Sequence, residues 1–145
     1  SLDTIVNATS QNDSTKINAT IDRVYCGYLK LSKTASINNT TGIGGALDAV
    51  PGAVVTYNIA YENISSAGGT GSVTLPATNV VITENGTVAP NNWGTTTNHV
   101  IGSATDSNGG TIVGDSVATS TLLTDTIPSL APGATGTFSF KRTIK

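Results

Sequence analysis

Residues 53–62 read AVVTYNIAYE, and this stretch decides the fold class. Val55, Tyr57, Ile59 and Tyr61 occupy every second position of it. Successive side chains of a β-strand point to opposite faces, so a period of two predicts a strand with one buried face. The stretch therefore predicts a half-buried β-strand.

A second stretch with the same period lies at the C-terminus, where Phe138, Phe140, Arg142 and Ile144 share one side of residues 137–145. Shorter candidate strands are Leu29–Lys33, Val73–Leu75, Asn79–Thr83, His99–Ile101, Thr111–Val113 and Val117–Leu123. Turn-forming Pro-Gly, Asn-Gly and Gly-Gly pairs lie between them, and no window has the apolar spacing of a helix. Short strands separated by frequent turns predict an all-β sandwich or barrel with very little helix.

Four segments carry a family resemblance. They are residues 29–35 (LKLSKTA), 51–59 (PGAVVTYNI, with Asn63 after it), 77–84 (ATNVVITE) and 130–140 (LAPGATGTFSF). In this order they resemble the DUF11 repeat domain, an immunoglobulin-like antiparallel β-sandwich of prokaryotic cell-surface proteins. The resemblance covers residues 28–145 and implies that fold and a surface location. It implies no activity, because one fold serves many functions.

Two features depart from the family pattern. In the family an acidic residue and Leu-Pro follow the Val-rich strand, whereas Glu84 is followed by an Asn-Gly pair and Asp125-Thr-Ile-Pro128 comes much later. We therefore expect rearranged loops between these positions. Family repeats also occur in tandem, but this sequence holds a single copy without an internal period. We expect the domain to act alone or to assemble with copies of itself.

The composition indicates a neutral, hydroxyl-rich surface, with 25 Thr, 14 Ser and 13 Asn residues. Charged residues make up only 11% of the chain, where an average soluble domain has about 25%. The 7 Lys and Arg residues are spread along the sequence, so we expect no nucleic-acid partner. No apolar run approaches the length of a membrane-spanning helix, so we expect no membrane span.

Other features favour an extracellular or cell-surface location. Met is absent, even at position 1, which favours a mature chain secreted after removal of a signal peptide. Asn-X-Ser/Thr sequons occur at about twice the frequency that composition predicts. These candidate N-glycosylation sites are Asn7, Asn12, Asn18, Asn38, Asn39, Asn63 and Asn85.

Residues 1–27 lie outside the resemblance and form a candidate N-terminal β-strand arm. Ile17, Ala19 and Ile21 alternate with polar residues and Val24 follows, which predicts a strand with one apolar side. This strand can pair within its own domain as an added edge, or it can complete the sheet of the next copy. In the second case Ile17, Ala19, Ile21 and Val24 form the donor interface, with Leu2, Ile5 and Val6 as a candidate second anchor.

The single cysteine, Cys26, lies where the arm joins the domain. Because no second cysteine is present, an internal disulfide is excluded. Two alternatives stay open: a buried free thiol, or an intermolecular disulfide with Cys26 of a second copy.

The sequence offers few groups suited to catalysis, to a cofactor or to a metal. His99 is the one histidine, and no nucleophile, base and orienting group form a recognisable pattern. Residues 106–110 with Asp115 contain part of a calcium loop but lack its third ligand position and its final Glu. We therefore expect no enzymatic activity, no cofactor and no metal site. Trp93, in an Asn-rich loop, is either a platform for a surface glycan or an aromatic folded over the sandwich end.

Two hypotheses from different classes follow. In the first, the protein is a structural subunit that assembles head to tail with copies of itself into an extracellular filament or pilus-like fibre by N-terminal strand donation. In the second, it is a monomeric adhesion or glycan-binding module of a larger cell-surface protein. The arm discriminates between them, because only the first hypothesis requires residues 1–27 for assembly.

Overall fold

The structure is a computed structural model. It describes residues 2–9, 15, 17–24, 29–65 and 74–145, and for residues 2–9 and 17–24 it describes the backbone. The elements in chain order are β1 (Leu2–Thr9), β2 (Ile17–Val24), β3 (Leu29–Asn38), β4 (Val54–Asn63), β5 (Ala77–Asn85), α1 (Trp93–Thr96), β6 (Thr97–His99), β7 (Thr105–Asp106), β8 (Thr111–Val113), β9 (Leu122–Leu130) and β10 (Thr135–Ile144).

Two antiparallel sheets pack face to face and confirm the predicted all-β sandwich. One sheet has five strands, with the order β3-β4-β10-β6 and with β7 also pairing β10, and we call it the larger sheet. The other sheet is three-stranded, with the order β5-β9-β8. The short turn at residues 107–110 connects β7 to β8 and therefore links the two sheets on one side of the sandwich.

The core lies between the two sheets and follows the alternation of the strand sequences. Each of the long central strands places every second side chain inside, as expected for a sheet with one buried face. The buried cluster contains Ile59 and Tyr61 of β4, Val80 and Ile82 of β5, Leu123, Ile127 and Leu130 of β9, Phe138 and Phe140 of β10, and Trp93 of α1.

Strands β1 and β2 form a two-stranded antiparallel sheet of their own. Leu2 is opposite Val24 and Thr9 is opposite Ile17, so the two strands pair over their whole length. The strand predicted after residue 16 is therefore present. Among the described strands it pairs with β1 and with no strand of the sandwich.

The strand predicted at Val117–Leu123 was wrong, because β9 begins at Leu122 and continues to Leu130. Pro128 is exposed inside β9, opposite Asn79 of β5, and neither residue has a partner in the strand register. Pro128 has no N–H to donate, and Asn79 adopts a positive φ of 52°. This local irregularity lets β9 continue through Pro128.

We expected rearranged loops between Glu84 and Asp125. In the structure this part of the chain contains α1 and the short strands β6, β7 and β8. The candidate strand Thr111–Val113 is confirmed. The candidate His99–Ile101 was placed too late, because β6 ends at His99. Of the candidate strand Val73–Leu75, Thr74 and Leu75 lie outside the strands, and Val73 lies outside the described residues.

Candidate functional site

Strand β3 is an edge of the larger sheet, and its inner face is uncovered. The register places Leu31 opposite Tyr61 and Ala35 opposite Tyr57, so Leu31 and Ala35 face the same side as the core residues of β4. Nevertheless Leu31 is 54% exposed. Of the ten residues of β3, Leu29 and Ile37 are half-buried and the other eight are exposed. The facing sheet therefore does not cover β3.

The three-stranded sheet ends at β5, which lies on the same side of the sandwich as β3. The ion pair between Lys33 of β3 and the carboxylate of Glu84 of β5 shows that these two strands lie on the same side. Strand β5 pairs with β9 on one edge, and no described strand pairs with its other edge. We call the inner face of β3 at Leu31, Lys33 and Ala35, together with the free edge of β5, the open side.

The open side has the properties of an incomplete sandwich. Strand β5 is nine residues long, with the sequence ATNVVITEN. It contains no Lys, Arg or Pro, the residues that commonly protect an edge from pairing. Val81, on its outer face, is 56% exposed. A long edge strand without Lys, Arg or Pro, next to an uncovered face that carries Leu31 and Ala35, is a surface on which another strand can add.

The predicted donor residues lie in the separate two-stranded sheet. Ile17, Ala19, Ile21 and Val24 are in β2, and Leu2, Ile5 and Val6 are in β1, where Ile5 is opposite Ile21. Their side chains lie outside the description of the structure. Cys26 also lies outside the described residues, so the two alternatives for its thiol stay open.

The sequons that the structure describes in full fold partly as local turns. In Asn39-Thr-Thr41 and Asn85-Gly-Thr87, the backbone N–H of the Thr donates to the Asn side-chain oxygen, at 3.0 and 2.9 Å respectively. Such Asx turns are a structural reason for an Asn-X-Thr pattern. Part of the sequon excess therefore has a folding explanation, while Asn38 and Asn85 are exposed.

Asn63 has a structural role. It is 0% exposed, and its amide nitrogen donates to the carbonyl oxygens of Leu75 and Leu130, both at 2.9 Å. Its side-chain oxygen accepts a hydrogen bond from the backbone of Ser65. A glycan on the amide nitrogen would have to displace these bonds, so this sequon is explained by packing. Asn7 and Asn18 lie in β1 and β2, and Asn12 lies outside the described residues.

Trp93 is folded into the sandwich end and is only 3% exposed. Its ring packs against Gly86, where an added Cβ would lie 2.1 Å from a ring atom, and against Phe140. The guanidinium carbon of Arg142 lies 4.2 Å from the ring centroid. Of the two alternatives for Trp93, the structure therefore favours the aromatic folded over the sandwich end, because a buried ring cannot stack on a sugar.

Arg142 is a fully buried cation on β10. Its Nε donates to the Thr97 hydroxyl at 2.7 Å and its Nη1 to the Ser120 carbonyl at 2.9 Å. Burial lowers the pKa of Arg142 to about 10. The alternation of the C-terminal strand placed this residue on the inner side, and the structure confirms that placement.

A pair of neighbouring carboxyls, the half-buried Asp106 and the buried Asp125, lies beside Gly110, and sequence reasoning missed it. Asp106 accepts hydrogen bonds from the Tyr61 hydroxyl at 2.5 Å and from the backbone of Gly110 at 2.9 Å. Asp125 is 0% exposed, and neither of its oxygens has a hydrogen-bond partner. Burial, and then the neighbouring Asp106, raise the pKa of Asp125 to about 6. Burial and the bond to Asp106 also raise the pKa of Tyr61 to about 12.

His99 is buried, with Nε2 2.7 Å from a carboxylate oxygen of Asp115. That same oxygen accepts a hydrogen bond from the Ala104 backbone. Asp115 therefore contacts His99 and accepts a hydrogen bond from the loop at Ala104, and it does not complete the partial calcium loop at residues 106–110. Among the described residues, no group of three or more His, Cys, Asp or Glu side chains is arranged to hold a metal ion.

A shallow concavity of about 460 Å³ lies on the outer face of the larger sheet. Polar side chains line it, among them Lys30, Glu62, Thr135 and Thr137. Its one aromatic lining residue, Tyr61, is 2% exposed and so offers no stacking surface.

No protein-family model matches the chain, and no curated protein or solved structure is significantly similar to it. The DUF11 resemblance therefore stays a prediction. No helix among the described residues is long and apolar enough to cross a membrane. With no relative to supply a function, the open side is the candidate site that the geometry favours.

Proposed function

We propose that this protein is a structural subunit that assembles with copies of itself, head to tail, into an extracellular filament or pilus-like fibre. The observation that carries the proposal is the open side, where β3 exposes an inner face and β5 has a free edge. Such a sandwich gains apolar burial and main-chain hydrogen bonds when a strand is added.

The N-terminal sheet supports the same proposal from the donor side. Strands β1 and β2 pair with each other over eight residues each and stand apart from the two sheets of the sandwich in strand order. An isolated two-stranded hairpin is marginally stable in water and gains from packing against a larger sheet. One donor and one acceptor on each copy give a head-to-tail contact, which propagates as an open filament.

The low charge of the chain is compatible with close packing of copies. The net charge is −2, with 11% charged residues, so long-range repulsion between subunits is weak. The glycan-binding alternative has less support, because Trp93 is buried and the polar concavity on the outer face has no exposed aromatic.

The test is the particle size of the purified chain with and without residues 1–27, by light scattering and negative-stain electron microscopy. We expect filaments from the full chain and a folded monomer from the truncated chain, with its β-sheet circular dichroism retained. If the full chain stays monomeric at high concentration, the proposal is wrong.

A matched pair of point variants tests the apolar pattern of the arm while the arm itself is kept. Ile21→Asp places a charge on the apolar side of β2, whereas Thr20→Asp places one on its polar side. We expect Ile21→Asp to prevent filament growth and Thr20→Asp to leave it largely intact. Equal effects of the two variants would contradict strand donation through that side.

A further inference from the structure

We propose that the acceptor is the open side itself, where strand β2 of a second copy adds to the free edge of β5 and covers the inner face of β3. This inference rests on the proposed function and names the surface that the donor strand occupies. In the assembly, the three-stranded sheet becomes the five-stranded sheet β1-β2-β5-β9-β8, whose first two strands belong to the next copy.

The uncovered inner face of β3 indicates that the donor strand adds to the edge of β5 and not to the neighbouring edge of β3. Strands within a sheet lie about 4.8 Å apart, whereas packed sheets lie about 10 Å apart. A strand added to β5 therefore lies directly across from β3 and covers Leu31 and Ala35. A strand added to the edge of β3 would extend that sheet further beyond the three-stranded sheet, and Leu31 would stay exposed. Only the first arrangement removes apolar surface already exposed on the subunit.

The composition of the two edges agrees with this choice. Strand β3 carries Lys30 and Lys33, and lysine on an edge strand disfavours pairing with another chain. The sequence of β5 contains no lysine, arginine or proline. Its one charged residue, Glu84, is 15% exposed and already binds Lys33.

The spacing of the donor sequence matches the spacing of the acceptor face. On β3, Leu31 and Ala35 flank Lys33 at two-residue steps, and the Lys33–Glu84 ion pair crosses between the sheets at that point. On β2, Ile17 and Ile21 flank Ala19 at the same steps. With Ala19 over the ion pair, its small side chain leaves the pair in place, while the two isoleucines cover Leu31 and Ala35.

The donor hairpin does not have to open for this contact. Strand β2 uses one edge to pair with β1, and among the described strands its other edge has no partner. Strand β2 has eight residues and β5 has nine, so the two edges match in length. The contact therefore adds a preformed hairpin to a preformed edge, and little backbone order has to be created on assembly.

Disulfide trapping tests the acceptor. In a Cys26→Ser background, Thr20→Cys on the polar side of β2 is combined with Val81→Cys or Thr83→Cys on the outer face of β5. The matched comparison combines Thr20→Cys with Thr34→Cys on the outer face of β3, the neighbouring edge. Each purified protein is oxidised under assembly conditions, and its species are separated by non-reducing electrophoresis and imaged by electron microscopy.

We expect filaments and a ladder of covalent multimers from a β5 combination, and filaments without a ladder from the β3 combination. Filaments with a ladder only from the β3 combination would overturn this acceptor while leaving strand donation standing. A covalent monomer of altered mobility from a β5 combination would show that the arm closes on its own sandwich, and would overturn the inference. The absence of filaments from every variant and from the unmodified chain would instead overturn the proposed function.

Discussion

The Lys33 ammonium group on β3 binds the Glu84 carboxylate on β5, so a charged side-chain pair connects the two sheets on the open side of the sandwich. The Lys33 side chain is 37% exposed, and its ammonium lies 5.0 Å from the centroid of the Tyr57 ring. The ammonium group therefore lies over the Tyr57 ring while it binds the carboxylate of the facing sheet. The pair joins the two sheets through their side chains, and no described strand pairs with the other edge of β5.

Replacing this lysine should change stability only slightly. We expect Lys33→Met to alter the free energy of unfolding by less than about 1 kcal/mol, because a partly exposed ion pair is screened by water. Urea denaturation measures the change, and Lys141→Met at an exposed position of β10 is the control. A loss of several kcal/mol specific to Lys33 would mean that the ion pair holds the two sheets together.

A charge on the inner face of β3 should block assembly without unfolding the subunit. Leu31 is 54% exposed in the free subunit, so we expect Leu31→Glu to fold normally. In the assembly the carboxylate would be buried without a partner, which costs at least about 2 kcal/mol and weakens the contact by about 30-fold. Sedimentation of filaments against protein concentration measures this effect.

The control is Val113→Glu on β8, at the opposite edge of the three-stranded sheet, where the side chain is 64% exposed. We expect this variant to assemble like the unmodified chain. If Val113→Glu blocks growth and Leu31→Glu does not, the growing contact lies at β8 rather than at the open side.

The sequence predicted the strands well where burial follows the alternation, as in β4 and β10. It could not predict the open side, because the alternation in β3 is the same whether or not another sheet covers it. Exposure of Leu31 depends on how many strands the facing sheet contains, which is set by tertiary pairing. Leu123, Asp125 and Ile127 occupy alternate positions, so the sequence pattern could have revealed the buried carboxyl, but the predicted strand ended at Leu123.

The buried Arg142 should be important for the stability of the sandwich end. Arg142→Ala leaves the Thr97 hydroxyl and the Ser120 carbonyl without their donor and opens space beside Trp93. We expect a loss of about 3 kcal/mol in the free energy of unfolding. Because Trp93 is the one tryptophan, its fluorescence reports the transition. Lys141→Ala, one position away and exposed, should have little effect, and equal effects would contradict this role.

The pKa of Asp125, about 6 in the folded chain, makes stability depend on pH in a defined direction. The folded state binds this proton more tightly than the unfolded chain, whose carboxyl has an ordinary pKa near 3.8. The contribution of Asp125 is therefore fully present below about pH 4 and is lost as the pH rises through about 6. Above that pH, Asp125 is a buried carboxylate beside Asp106.

Asp125→Asn should remove this dependence, because a neutral amide of the same shape replaces the carboxyl. We expect the variant to gain stability over the unmodified chain on the order of 2 kcal/mol between pH 4 and pH 7. Urea denaturation at a series of pH values measures this difference, and Glu62→Gln on β4 is the control for a general loss of negative charge. A constant difference across the range would mean that Asp125 stays ionised in the fold. An Asp125→Asn variant less stable at pH 7 than at pH 4, relative to the unmodified chain, would reverse the sign of the expected pH dependence and contradict a raised pKa for Asp125.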